Sequence, residues 1–313
     1  MVTAALSPSR AGDFMQCPLL YRFRVVDRLP EPPSAAAVRG TFVHSVLENV
    51  FDLPAHRRRP DDAVGLMEQT WADLVAERPE VLEVLRADGS GATALDAVDG
   101  DADRASTGAA VQPTPEELAA WMADAEALVR RWFTLEDPSV LEPAERELYV
   151  EVPVDRGGER GELVLRGYVD RLDVAPADGA LRVVDYKTGR APSELFQAKA
   201  LFQMKFYALA IWRLRGRVPA LLQLVYLKDG TVLRHVPTQE ELLATERKVV
   251  ALYDAIERAA ELGDWRPNRS RLCDWCSFQS ICPAWGGTPP PLPGNARDRA
   301  TDEAVTGDAD TAD

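Results

Sequence analysis

The chain has 313 residues, 46% of them apolar and 27% charged, which suits one large domain or two small ones with a buried core and excludes a wholly disordered chain. No stretch approaches the ~18 apolar residues of a membrane span, and Met1-Val2-Thr3-Ala4-Ala5-Leu6-Ser7-Pro8 lacks a secretory apolar region before its proline, so a soluble cytoplasmic protein is expected. The net charge of −14 argues at first against a polyanionic partner, but residues 88–112 (five Asp, one Arg) and 286–313 (six acids, two Arg) hold −8 of it and leave a mildly acidic body.

In chain order, apolar positions recur at helical spacing over 36–52 (Val38, Phe42, Val43, Val46, Leu47, Val50), 62–78 and 115–135. Basic clusters occur at Arg22, Arg24 and Arg28 and at Arg57, Arg58 and Arg59, and each taken singly reads as a solvated face. Residues 87–114, poor in large apolar side chains, read as a mobile loop between two helices. From Leu148 the period changes to that of strands, at 148–152, 163–174 and 181–186. A helix of about 20 residues follows from Glu194 to Arg213, then strands 221–227 and 231–236 joined at Lys228-Asp229-Gly230, and an amphipathic helix over 239–262. Further basic clusters lie at Arg213, Arg215 and Arg217 and at Arg266, Arg269 and Arg271. The tail from Gly286, rich in Pro, Asp, Ala and Thr, cannot repay its ordering entropy and reads as disordered. Helices, then an antiparallel-leaning sheet, then a helix against it define an α/β or α+β chain.

The segment Arg166-Gly167-Tyr168-Val169-Asp170-Arg171-Leu172-Asp173 and the segment Leu181-Arg182-Val183-Val184-Asp185-Tyr186-Lys187-Thr188-Gly189 flank the turn residues Pro176-Ala177-Asp178-Gly179. A hairpin pivoting between 177 and 178 makes cross-strand partners sum to 355, which sets Asp170 opposite Asp185. Facing carboxylates about 5 Å apart at Cβ repel, so something positive belongs between them. Lys187, two residues past Asp185 and on the same strand face, could neutralise the pair alone. A divalent cation held by both carboxylates beside Lys187 fits equally well, and oxygen ligands favour Mg²⁺ or Mn²⁺. The plainer alternatives are strand-end polar residues, or a one-residue slip that turns one aspartate to the opposite face.

Upstream, His44 and Glu48 stand four apart on one helix face within Gly40-Thr41-Phe42-Val43-His44-Ser45-Val46-Leu47-Glu48, and Gln203 and Tyr207 are likewise four apart downstream. A lone helical histidine, a surface amide and a buried aromatic explain these just as simply. The four cysteines divide as Cys273-x2-Cys276-x5-Cys282-Pro283 and a distant Cys17-Pro18. Cytoplasmic thiols seldom form stable disulfides, so a metal centre is suggested. Structural zinc takes its ligands as two local pairs, whereas three clustered cysteines and one remote favour a 4Fe–4S cluster; zinc and free thiols stay open. A cluster would tie the first twenty residues to the C-terminal lobe and loosen the fold when lost.

Together these residues resemble the RecB-like branch of the PD-(D/E)XK nuclease superfamily, specifically its iron–sulfur members such as the AddB nuclease domain and the CRISPR-associated RecB-like nucleases. The resemblance runs from Leu6 to Pro283 and rests on five elements in family order: the Gly40 to His44 helical histidine motif, Gly167-Tyr168-Val169-Asp170-Arg171, the Asp185-Tyr186-Lys187 D-x-K core, the Gln203-Met204-Lys205-Phe206-Tyr207 Q-x-x-x-Y helix, and the one-plus-three cysteines. It implies a restriction-endonuclease-like mixed sheet flanked by helices over residues 1–285, with a helical insertion at about 52–140 and a cluster joining the N- and C-terminal segments. It further implies that His44, Asp170, Asp185 and the Tyr186 backbone carbonyl hold Mg²⁺ or Mn²⁺, and that Lys187 acts with Asp170 and Asp185 in catalysis. Gln203 and Tyr207 support the site and touch DNA, Glu48 lies behind it, and Cys17, Cys273, Cys276 and Cys282 hold the cluster.

The expected activity is a metal-dependent DNA exonuclease on single-stranded ends in repair or recombination, since a bound divalent ion lowers the pKa of its water and offsets phosphate charge. The alternatives are a non-catalytic DNA-end-binding module working with a helicase, and a zinc-stabilised interaction protein. No G-x4-G-K-S/T motif occurs, so duplex unwinding by that engine falls to a separate helicase.

Overall fold

A computed structural model describes residues 5–31, 34–82, 85 and 113–293. Residues 87–112 of the expected mobile loop and 294–313 of the expected tail lie outside the described residues. Six strands form a mixed sheet: β1 (Ala5–Leu6), β2 (Glu145–Asp155), β3 (Glu162–Val174), β4 (Leu181–Lys187), β5 (Leu221–Tyr226) and β6 (Thr231–His235), in the order β1-β3-β4-β5-β6 with β2 beside β3. β3/β4 and β5/β6 pair antiparallel and β1/β3 parallel, so the sheet is mixed, as the resemblance implies. β4 and β5 run parallel, because a 22-residue helix, α5 (Glu194–Arg215), carries the chain back before β5 begins. The other long helices are α1 (Pro8–Gln16), α2 (Ala35–Val50), α3 (Pro60–Glu77), α4 (Pro115–Trp132) and α6 (Gln239–Leu262). No described helix is long and apolar enough to cross a membrane.

Local chemistry sets the element ends. The Ser34 hydroxyl accepts from the Ala37 amide to start α2, and Thr114 and Glu117 form a reciprocal capping box at α4. Proline opens α1, α3 and α4, where its missing N–H costs nothing. In the β3/β4 turn Gly179 adopts φ 68°, and its N–H donates to the Ala175 carbonyl at 2.8 Å. Asp178 Oδ1 accepts from the Ala180 amide at 2.9 Å, which closes the turn. The resulting register, Arg171↔Val184 through Val174↔Leu181, is the one in which partners sum to 355.

The chain divides into two units. One comprises Met1–Glu31, Pro153–Leu165 and Glu246–Asp313, and the other Pro32–Val152 and Arg166–Thr245. In the first, Phe14, Tyr21 and Trp265 form an aromatic cluster in which Tyr21 and Trp265 stack at 6.0 Å. Arg156, over the Tyr253 ring, pairs with Asp254 and Glu257. In the second, α2, α3 and α4 bury Phe42, Val46, Leu47, Met67, Trp121 and Trp132 with Val184, Tyr186 and Val225 of the sheet. The segment 52–140 thus supplies two helices, α3 and α4, to this core.

At the end of α4 the chain turns and places Glu136 beneath the sheet. Its carboxylate receives five hydrogen bonds: Trp132 Nε1 at 2.8 Å, Arg171 Nη1 and Nη2 at 3.0 and 2.8 Å, the Tyr186 hydroxyl at 3.1 Å and Gln223 Nε2 at 3.0 Å. The Arg171 and Glu136 side chains are 1% and 6% exposed. Burial alone would raise the Glu136 carboxyl, but the Arg171 hydrogen bonds and charge, with those of Trp132 and Tyr186, hold it below the usual glutamate range. A carboxyl depressed on folding stabilises the protein above its unfolded pKa of about 4.3, and that contribution is lost as pH falls through the folded value. Glu136→Gln is expected to cost about 3–5 kcal/mol at pH 7, because it leaves the Arg171 charge buried and unpaired. Denaturant titrations from pH 3 to 8 check this: the deficit shrinks below about pH 4, whereas a pH-independent deficit contradicts the assignment.

Candidate active site

The other faces of the same strands carry the residues singled out by the motifs. β3 presents Asp170, β4 presents Asp185 and Lys187, α2 brings His44 and Glu48, and α5 brings Gln203 and Tyr207. All belong to the second unit. Alternation produces this split: Arg171 and Tyr186 are held inward on Glu136, so Asp170, Asp185 and Lys187 turn the opposite way. Gly40 on α2 lies against Thr188 beyond the end of β4, whose hydroxyl would make an ordinary 3.6 Å contact with a Cβ added there.

The Tyr186 amide donates to Asp170 Oδ2 at 2.6 Å, and His44 Nδ1 lies 3.6 Å from the same oxygen. Lys187 Nζ contacts Asp185 Oδ2 at 2.6 Å, and Gln203 Nε2 donates to Asp185 Oδ1 at 3.1 Å. Gln203 also reaches the buried Tyr207 hydroxyl at 3.4 Å. Glu48 lines one pocket with His44, Glu147, Asp170 and Tyr186. The lysine therefore answers Asp185, while Asp170 stands among groups that do not neutralise it.

Glu147 escaped the motif reading. Its carboxylate, His44 and Asp170 offer ligand atoms all within 4.8 Å of one another, and this is the one such triad of histidine, cysteine or acidic groups among the described residues. No motif marks Glu147, which lies near the start of β2. The signal is conformational: φ is 43°, in the left-handed region that a β2 glutamate avoids unless its surroundings hold it there. Asp185, expected as a ligand, lies outside that triad, its oxygens engaged by Lys187 and Gln203.

The electrostatics describe a site with surplus negative charge. Burial, then repulsion by Asp170, raises the Glu147 carboxyl to about 7. Burial, then the charge of Asp185, raises Asp170. Burial lowers the His44 imidazole, keeping it neutral and able to donate a lone pair. A hydrogen bond to the Tyr186 backbone partly opposes that shift; because it favours the protonated ring, the backbone group is an acceptor, the carbonyl. Burial would also lower Lys187, but the Asp185 charge and hydrogen bond outweigh it and hold the ammonium above the ordinary lysine value. A neutral imidazole, two mutually repelling carboxylates and a carbonyl are the donors that suit a hard divalent cation.

The four cysteines all belong to the first unit and line a single pocket with Leu20, Phe23 and Trp285. The Asn268 amide donates to Cys17 Sγ and the Ser270 amide to Cys273 Sγ, each at 3.4 Å. Burial, then the neighbouring Cys17, Cys273 and Cys282, raises the Cys276 thiol. No three of the sulfurs lie within 4.8 Å of one another. Tetrahedral zinc with Zn–S bonds of ~2.3 Å would hold them about 3.8 Å apart, so the arrangement is wider than a zinc knot.

Comparisons with known proteins bear on the family and the fold. The family model of the PD-(D/E)XK nuclease superfamily matches residues 5–283. The chain is 27% identical over 208 residues to the Gene 69 protein of Mycobacterium phage D29, covering 66% of this chain and 68% of the phage protein. A crystal structure of a candidate exonuclease from Eubacterium rectale superposes with a TM-score of 0.51 at 15% identity over 87% of both chains, a likeness of fold.

The crowded carboxylates carry a stability consequence. Groups whose folded values are raised favour the fold below about pH 4 and withdraw that support as pH climbs through the folded values, near 7 for Glu147. In EDTA at pH 8, Asp170→Asn is therefore expected to melt above the wild type by about 2–4 °C for each kcal/mol of relieved repulsion. Mn²⁺ should raise the wild-type melting temperature and leave the variant unmoved. Differential scanning fluorimetry decides it, and equal responses to Mn²⁺ would remove Asp170 from the cation site.

Proposed function

The chain belongs to the PD-(D/E)XK nuclease superfamily, and from that premise we propose that it is a metal-dependent deoxyribonuclease acting on the ends of single-stranded DNA in repair or recombination. The observation that carries the reading is the triad of His44, Glu147 and Asp170, whose uncompensated charge faces the Lys187–Asp185 pair. His44, Glu147, Asp170, Asp185 and the Tyr186 carbonyl would hold Mg²⁺ or Mn²⁺. The bound cation would supply a hydroxide-like nucleophile at neutral pH and charge compensation for the phosphate.

The chain's own residues do the rest. Lys187, kept protonated by Asp185, orients the attacking water and offsets charge developing on the phosphate oxygens. Gln203 fixes Asp185 through its Oδ1, and Tyr207 restrains Gln203 in turn, so this pair holds the D-x-K geometry from α5. The Tyr186 amide orients Asp170. Glu48 shares the pocket and supports His44 from the next helical turn. With no Walker-type phosphate loop in the sequence, a duplex would be opened by a separate helicase.

End-labelled single-stranded DNA tests the activity directly. Wild-type protein with Mg²⁺ or Mn²⁺ should shorten the label progressively, EDTA should abolish the reaction, and Asp185→Ala or Lys187→Ala should slow it at least about a hundredfold. Equal rates in all three proteins would eliminate the proposed site, and metal-dependent binding without cleavage would favour an end-gripping module.

For the first unit we propose a 4Fe–4S cluster on Cys17, Cys273, Cys276 and Cys282. The common pocket and the amide bonds to two sulfurs support it. Anaerobically purified protein should be brown, with about four irons and four sulfides per chain, and Cys276→Ala should be colourless. A colourless wild type with one zinc would overturn the cluster.

A further inference from the structure

Among the described residues of the second unit, two aromatic side chains stand largely in solvent: Tyr168, 57% exposed, and Tyr149, 45% exposed. Their rings lie 5.2 Å apart at 51° across β2 and β3. A cross-strand aromatic pair steadies a sheet, but that role does not call for leaving both rings uncovered. Their position beside the candidate active site gives another reason. On β3, Val169 and Arg171 are each 1% exposed and point into the core, so Arg166, Tyr168 and Asp170 share the opposite face. Tyr168 is one same-face step, about 6.7 Å of strand, from the carboxylate in the cation triad. Tyr149 follows Glu147, the second triad carboxylate, by the same two residues on β2.

The flank of this pair is cationic. Arg166 is one same-face step beyond Tyr168, and its charge lowers the Tyr149 hydroxyl against the stronger pull of Glu151, to which that hydroxyl donates. Among the described residues no carboxylate pairs with Arg166, so its guanidinium is available to an anion. β3 therefore displays, in sequence, a cation, an aromatic face and a carboxylate of the cation site. A polynucleotide strand offers the matching series: a phosphate, a base and the scissile phosphate.

We propose that Tyr168 and Tyr149 form a stacking platform for the unpaired base next to the scissile phosphate, with Arg166 on the phosphate beyond it. The inference rests on the nuclease reading for where that phosphate lies, and it names the substrate feature recognised. A base within a duplex is already stacked on both faces, whereas a single strand presents its π-face to an aromatic side chain. The platform accounts for a preference for unpaired ends without any sequence readout, since every base has such a face.

Binding in EDTA separates the platform from catalysis. A single-stranded oligodeoxynucleotide carrying 2-aminopurine near its end should be quenched on binding the wild-type protein, and Tyr168→Ala should weaken binding roughly ten- to a hundredfold and lose the quench. Tyr168→Phe should behave as the wild type, which excludes a role for the hydroxyl. An oligonucleotide with an abasic residue at the same position should bind wild type and Tyr168→Ala equally weakly. Melting temperatures of the variants within a few degrees of wild type exclude misfolding as the cause. Unchanged affinity and quench in Tyr168→Ala, or no quench in the wild type, overturns the platform. Parallel cleavage assays in Mn²⁺ keep the two readings apart: cleavage without tyrosine-dependent stacking removes the platform and leaves the nuclease, while stacking without cleavage removes the nuclease.

Discussion

The carboxylate of Glu136 gathers donors from α4, β3, β4 and β5, and through them it fixes which way the central strands face. Arg171 and Tyr186 are both drawn to it and to each other. Because strand side chains alternate, holding these two on one face forces Asp170, Asp185 and Lys187 onto the other. A one-residue slip of the β3/β4 hairpin would separate the buried guanidinium from the carboxylate that pairs it, a cost of several kcal/mol that a register without this anchor would not carry. The anchor is therefore an electrostatic lock on register, placed one residue away from Asp170, Asp185 and Lys187.

The functional face is organised by the opposite principle. On the Glu136 side the charges are matched, the one carboxylate accepting five hydrogen bonds; on the Asp170 side three acidic groups and a neutral imidazole are brought together with one ammonium between them. Such crowding costs stability in the metal-free protein, and the left-handed backbone at Glu147 adds local strain. The sheet tolerates both because its inner face is packed against α2, α3 and α4 and anchored on Glu136. A site that concentrates negative charge in this way favours a divalent cation by the same interactions that disfavour its empty state.

Much of this arrangement was legible from residue order. Asp170 and Asp185 were paired by counting outward from Pro176-Ala177-Asp178-Gly179, since a tight turn and a strand period of two leave little freedom in a hairpin. His44, Gln203 and Tyr207 followed from helical spacing and family resemblance. Glu147 and Glu136 did not. Glu147 sits in an ordinary strand sequence and is distinguished only by a backbone angle, and Glu136 lies in Thr134-Leu135-Glu136-Asp137-Pro138, which reads as an exposed helix end. Both act through partners more than 20 residues away in sequence, at Asp170 and Arg171, and no local pattern encodes such contacts. The mixed sheet was expected from the family resemblance, but which neighbours run parallel was not: periodicity identifies β4 and β5 as strands, and their mutual direction depends on where α5 returns the chain.

Alternation also explains how one strand serves three purposes. Inward, β3 contributes Arg171 to the register lock; outward, it contributes Asp170 to the candidate cation site and, further along, Tyr168 and Arg166 to the solvent-facing strip. These roles are physically coupled, since a shift of the strand by one residue would part the guanidinium from Glu136, carry the carboxylate away from His44 and Glu147 and turn the tyrosine into the core together. Substitutions at the lock should therefore be felt at the site without touching any ligand, through the direction in which Asp170 points. Positioning by an inward neighbour needs no contact with a substrate and leaves no mark in a motif, which makes the buried partner of a catalytic-type strand as informative a place to look as its exposed face.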